Sequence, residues 1–92
     1  MATEYLTIRQ ISSFHRCEET LIVELIECGV CQSSNVAEDV TTIKASDLPR
    51  LEKALRIYEE LGVNPAGIHI ILNLLDRIEQ LSAGPRPPVD DL

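Results

Sequence analysis

Five side chains in this sequence carry the thiol or imidazole groups that ligate soft metals or exchange electrons: His15, Cys17, Cys28, Cys31 and His69. The segment "CGVC", Cys28 to Cys31, has the two-residue spacing of zinc ligands and of redox pairs. A structural zinc ion takes four ligands, and here only Cys17 and His15 are available to complete a set. A thioredoxin-like pair sits where a strand meets a helix, whereas Cys28 falls at the end of a predicted helix. The spacing therefore reads Cys28 as a small core residue and Cys31 as a turn residue, with no metal and no cofactor expected. His69 has no acid or nucleophile beside it and is expected on the polar side of the last helix. His15 lies at a helix end, where a cation is favourable. The sequence has no glycine-rich phosphate loop and no recognisable nucleophile motif, so an enzyme is not expected.

The other available chemistry is electrostatic. The formal net charge is −7, and residues 1–43 hold seven acids against two bases, while residues 44–81 are nearly neutral. In "EETLIVELIEC", steps of 100° per residue put Leu21, Ile22, Leu25, Ile26 and Cys28 on one broad arc. Thr20, Glu24 and Glu27 fall on the opposite side, with Val23 at its edge. A helix that enters a DNA groove needs lysine or arginine near the phosphates and arginine, asparagine or glutamine toward the bases. This face is acidic, so direct nucleic-acid binding through it is not expected; a basic protein surface suits it. From charge alone, a merely solvated face is the simpler reading.

The elements that would carry these residues follow from local signals. Thr7 with Gln10 three residues later is a reciprocal capping pattern, and predicts a short helix ending near His15, with Ile8, Ile11 and Phe14 as its buried stripe. A second helix begins at Glu18 or Glu19, whose charges suit its positive end, and Gly29 can take the left-handed turn after it. In "QSSNVAEDVTTIK" the polar turn residues and the β-branched run from Val40 suit a small wing, with Glu4 to Leu6 able to add a strand. Leu48, Leu51, Ala54, Leu55, Tyr58 and Leu61 share one face of a third helix. Pro49 is tolerated in its first turn, and Glu52 and Arg56 are spaced as a surface pair. In "RIYEELGVNPAGIHIIL", Gly62 ends that helix, Asn64 caps a fourth and Pro65 occupies its first position. Val63 can pack on Ile68 and set the angle between the two.

This order, carried by "EETLIVELIECGV" (18–30), "DLPRLEKALRIYEELGVN" (47–64) and "AGIHIILNLLDRIEQL" (66–81), resembles the MerR-like winged helix-turn-helix group, and within it the CbpM-like chaperone-modulator family. The resemblance implies a mainly α fold: a MerR-like winged helix-turn-helix with a small β wing and a C-terminal dimerisation helix. It also implies binding and inhibition of the J-domain of a DnaJ-like (CbpA-like) co-chaperone. J-domains engage their Hsp70 partner through a basic helix, which makes Thr20, Val23, Glu24 and Glu27 the expected partner-binding residues. A MerR-like transcription regulator that touches phosphate through its wing, Arg50 and Lys53 is the alternative. The chain departs from the family pattern in its proline-rich end and in "VCQSSN" after Gly29.

Ninety-two residues allow one small domain. With Phe14, Tyr5 and Tyr58 as the whole aromatic set, its core must be aliphatic, and such a core is often reinforced by an oligomer interface. On the last helix Ile68, Ile71, Leu72, Leu75 and Ile78 form one stripe, with Ile70, Leu74 and Leu81 flanking it. Together they span about twice the arc that a surface helix needs. A homodimer is expected, with Ile70, Leu74, Ile78 and Leu81 at its interface; a small domain that wraps both stripes is the other possibility. The domain is expected over residues 1–81 and a flexible proline-rich tail over 82–92. No apolar run approaches the ~20 residues that cross a bilayer, and the first ten residues lack the order of a signal peptide. A cytoplasmic location is the expectation.

Overall fold

Thr7 turns a strand into a helix. In the computed structural model, which describes residues 4–37 and 40–83, its hydroxyl accepts from the Gln10 amide at 3.0 Å. The Gln10 side chain accepts from the Thr7 amide at 2.9 Å, so two otherwise orphaned donors are satisfied reciprocally. Strand β1 (Tyr5–Thr7) therefore passes directly into α1 (Ile8–His15). Arg16, at φ 56°, closes α1 in the left-handed conformation, and α2 (Glu19–Glu27) follows after two residues. At the end of α2, Gly29 at φ 92° lets its own amide donate to Ile26 at 3.0 Å and the Val30 amide donate to Leu25 at 2.9 Å. This paired closure is the one that glycine favours, because no Cβ opposes the positive φ.

The wing is a three-stranded antiparallel sheet in the order β1-β3-β2, formed with β2 (Ser34–Ala37) and β3 (Val40–Lys44). β3 is central: Leu6 faces Ile43 across one pair, Ser34 faces Thr42 across the other, and a register irregularity lies between Asn35 and Ala37. Thr42 is buried, and its hydroxyl donates to the Ser34 carbonyl at 2.8 Å. A 3-10 turn, Ala45–Asp47, leads into α3 (Leu48–Leu61) with Pro49 in its first turn. Gly62, at φ 69°, ends α3. Asn64 then accepts from the Gly67 amide at 2.8 Å and starts α4 (Pro65–Ala83). Among the described residues, four helices and a small three-stranded wing make a mainly helical fold, in the winged helix-turn-helix order that was expected.

The core is aliphatic, built on Ile11, Ile22, Leu25, Ile43, Leu51, Ile68 and Leu72, with Val63 packed against it. Three expectations about packing are corrected. Phe14 is 80% exposed rather than buried. Three helical steps fall 60° short of a turn, so Phe14 lies about 120° from Ile8, while His15 returns to the line. His15 is half-buried, and it takes Glu52 as its partner at 3.4 Å, the carboxylate that had been expected to pair with Arg56. On α3, Leu51, Ala54 and Leu55 are buried but Tyr58 and Leu61 are exposed, so the stripe outruns the elements packed on it.

On α4 the division runs along the helix rather than around it. Ile68 and Leu72 are buried and Ile71 is half-buried, whereas Leu74, Leu75, Ile78 and Leu81 are all exposed. Leu75 and Ile78, expected on the inner stripe, thus share the outer surface with Ile70, Leu74 and Leu81. The helix also continues to Ala83, two residues into the span expected as tail. The rest of that expected tail, 84–92, lies outside the described residues, as do Glu38 and Asp39.

Candidate functional site

Helix α2 is anchored by Leu21, Ile22 and Leu25, all buried, and this leaves Thr20, Val23, Glu24 and Glu27 exposed together. Spacings of three and four residues bring their Cβ atoms to about 5–6 Å from one another, so the four make one continuous patch. Thr20 donates its hydroxyl to Glu18 at 3.3 Å, which ties the start of the patch to a further carboxylate. Among the described residues, none of the carboxylates of α2 has an ion-pair partner: the pairs present are His15–Glu52 and Arg50–Asp76.

Depressions flank the patch on three sides. Toward the wing, one of about 400 Å³ is lined by Thr7, Ile8, Arg9, Glu19, Val23, Val40 and Thr41. Toward α3, another of about 400 Å³ is lined by Arg16, Cys17, Glu18, Thr20, Leu21, Glu24, Tyr58 and Glu59. A third, of about 310 Å³, lies between Glu24, Glu27 and Cys28 of α2 and Asn64, Pro65 and Ala66 of α4. The helix is thus a ridge with an apolar margin at Val23 and Val40 and an acidic margin at Glu18, Glu24 and Glu59. The residues added here by the tertiary fold are Tyr58 and Glu59. Their signal in the sequence was masked, because Tyr58 continues the α3 stripe and reads as core.

The cysteines exchange their expected roles. Cys31 is buried and Cys28 is half-buried, and all three cysteines are free. The left-handed turn at Gly29 sends Val30 and Cys31 back into the core. Burial, then the nearby Asp47 charge, pushes the Cys31 thiol up to about 11, against an opposing pull from Arg50. Among the described residues no three or more His, Cys, Asp or Glu side chains group so as to hold a metal ion.

His69 is not on a free polar side. A Cβ at Gly29 would lie 3.0 Å from its ring Cε1. Its Nε2 is 3.2 Å from the Asn73 side-chain nitrogen, and its Nδ1 is buried with no hydrogen-bond partner. Arg50, considered above as a phosphate contact, is committed within the fold. Its Nε donates to the Val30 carbonyl at 2.6 Å, its Nη1 to the Asp76 carboxylate at 2.8 and 3.1 Å, and its Nη2 to Asn73 at 3.3 Å. Lys53 is exposed.

Away from α2, the outer part of α4 carries an apolar surface, where Ile70, Leu74, Ile78 and Leu81 are each more than half exposed. No helix of the described residues is long and apolar enough to cross a membrane. A family model described as MerR HTH family regulatory protein matches residues 6–84. No curated protein gives a significant match.

Proposed function

The chain belongs to the MerR HTH family of regulatory proteins, and within that family we propose that it is a CbpM-like chaperone modulator. Its partner is the J-domain of a DnaJ-like co-chaperone, and its action is inhibition by occupancy, with no chemistry of its own. The observation that carries this reading is the acidic face of α2, which has no ion-pair partner among the described residues: Thr20, Val23, Glu24 and Glu27 are exposed on the helix that a DNA reader would place in the groove. Carboxylates there repel phosphate and attract a basic helix. The resemblance to chaperone modulators supplies the partner, since a J-domain uses a basic helix to engage Hsp70 and loses that contact when the helix is covered. The same reading makes the protein a homodimer joined through Ile70, Leu74, Ile78 and Leu81 of α4, which would present two α2 faces. It also keeps residues 1–81 as the functional unit and the proline-rich end as an accessory.

The test is charge reversal. Replacing Glu24 and Glu27 together by Lys leaves Leu21, Ile22 and Leu25 in place, so circular dichroism should not change. Binding to the J-domain, measured by titration calorimetry, should weaken by about tenfold or more, because attraction becomes repulsion. Raising the salt should weaken the wild-type complex and narrow the gap between the two proteins. A double variant that binds as tightly as wild type at low salt would remove this face from the J-domain site. Salt-dependent binding to duplex DNA would instead favour the transcription-regulator reading.

A further inference from the structure

We propose that the cleft between the start of α2 and the last turn of α3 receives a lysine or arginine side chain from the partner's basic helix, which makes Tyr58 and Glu59 part of the recognition surface. This rests on the reading of α2 as the face for a basic J-domain helix, and it adds a second wall to that face. The cleft has a volume of about 400 Å³ and carries three carboxylates, Glu18, Glu24 and Glu59, against one cation, Arg16. Three carboxylates against one guanidinium leave the lining net negative, which suits a cationic side chain. Tyr58 is 41% exposed at the rim, and an aromatic face beside carboxylates attracts an ammonium or guanidinium group on its way in. Leu21 and Cys17 line the floor and offer apolar surface to the methylene stem that such a side chain carries. The Cys17 thiol is raised by its burial and then by the charge of Glu59, which lines the same cleft. The wing-side depression offers a different chemistry, with Val23 and Val40 toward the partner and one acid beside one base. A basic helix lying along α2 would therefore turn its long cations toward α3 and its apolar residues toward the wing.

The proposal is tested with the full chain and the isolated J-domain of a DnaJ-like co-chaperone, by calorimetry at low salt. Glu59→Lys should weaken binding by about tenfold and Tyr58→Ala by about fivefold, while Tyr58→Phe, which keeps the ring, should stay within about twofold. Circular dichroism confirms the fold of each variant. If the Glu24/Glu27 double Lys variant loses binding while Glu59→Lys and Tyr58→Ala stay within twofold of wild type, the cleft is overturned and the α2 reading stands. If the J-domain fails to bind the wild-type chain, that reading falls, and the cleft is then decided by a helix-forming peptide with arginine at every fourth position. Amide shifts in an NMR titration confined to Cys17, Thr20, Tyr58 and Glu59 would support it. Shifts confined to the wing side, or none, would overturn it.

Discussion

Cys31 shows how one residue's environment sets its chemistry. Its thiol is buried beside Asp47 and is pushed from an ordinary value of 9.0 up to about 11, so near neutral pH it is a protonated apolar group and a poor nucleophile. Half-buried Cys28, three residues earlier, is the more accessible of the two. The raised value also fixes a sign. Above about pH 9 the unfolded chain gives up the Cys31 proton while the native chain retains it, so the unfolded state binds fewer protons and stability falls as pH rises toward 11. Below pH 9 this contribution is fully present. Urea unfolding at steps between pH 8 and 11 should show that decline, and Cys31→Ala, whatever its cost at pH 8, should flatten it. An unchanged pH slope in the variant would mean that Cys31 does not contribute to it.

At the scale of elements, Arg50 is the tie. From the first turn of α3 it reaches the Val30 carbonyl just after the α2 turn and the Asp76 and Asn73 side chains on α4. Three elements are thus held in one geometry by a single guanidinium. The ion pair with Asp76 is partly exposed and by itself contributes little. The carbonyl is the more costly group to abandon, since Val30 is buried and a buried acceptor without a partner costs about 1–3 kcal/mol. Arg50→Met should accordingly lower stability by about 1–2 kcal/mol in urea denaturation. Lys53→Met, one turn away on an exposed position of the same helix, should change it by less than about 0.5 kcal/mol. Equal effects of the two substitutions would show that the tie contributes nothing.

For the whole molecule the question is what covers α4. The helix has 19 residues, a length of about 28 Å at 1.5 Å per residue, and its large apolar side chains beyond Leu72, namely Leu74, Leu75, Ile78 and Leu81, are exposed among the described residues. A contiguous apolar row of this kind marks an interaction surface. Ile70, Leu74, Ile78 and Leu81 recur at intervals of three and four residues, the spacing of a helix-on-helix seam. Sedimentation should give a dimer at micromolar concentration, and Leu74→Glu, which puts a charge into that seam, should shift the equilibrium to monomer with helix content retained. A wild-type monomer at every concentration would contradict the seam.

What the sequence by itself determined is whatever depends on atoms a few residues apart. The Thr7–Gln10 box, the left-handed turns at Gly29 and Gly62 and the Asn64 cap before Pro65 are closed by neighbouring groups, so their residue types alone locate the helix ends. The opposed faces of α2 were legible for the same reason, because a 100° step separates Leu21, Ile22 and Leu25 from Thr20, Glu24 and Glu27 wherever the helix packs. Only the tertiary structure decided how far each apolar stripe is covered. Phe14 reads as core by spacing but lies off the buried line of α1, whereas Tyr58 continues the α3 stripe beyond the elements that would bury it and instead becomes the wall of a cleft. Ile78 is on the inner line of α4 by angle and outside by length. Cys31 is in the core because a turn three-dimensionally returns the chain to it, and Arg50 is spent because Val30, Asn73 and Asp76 arrive beside it from positions 20 to 26 residues away. Periodicity reports a direction around a helix axis; burial also needs a neighbour, and neighbours far apart in sequence are set by the fold.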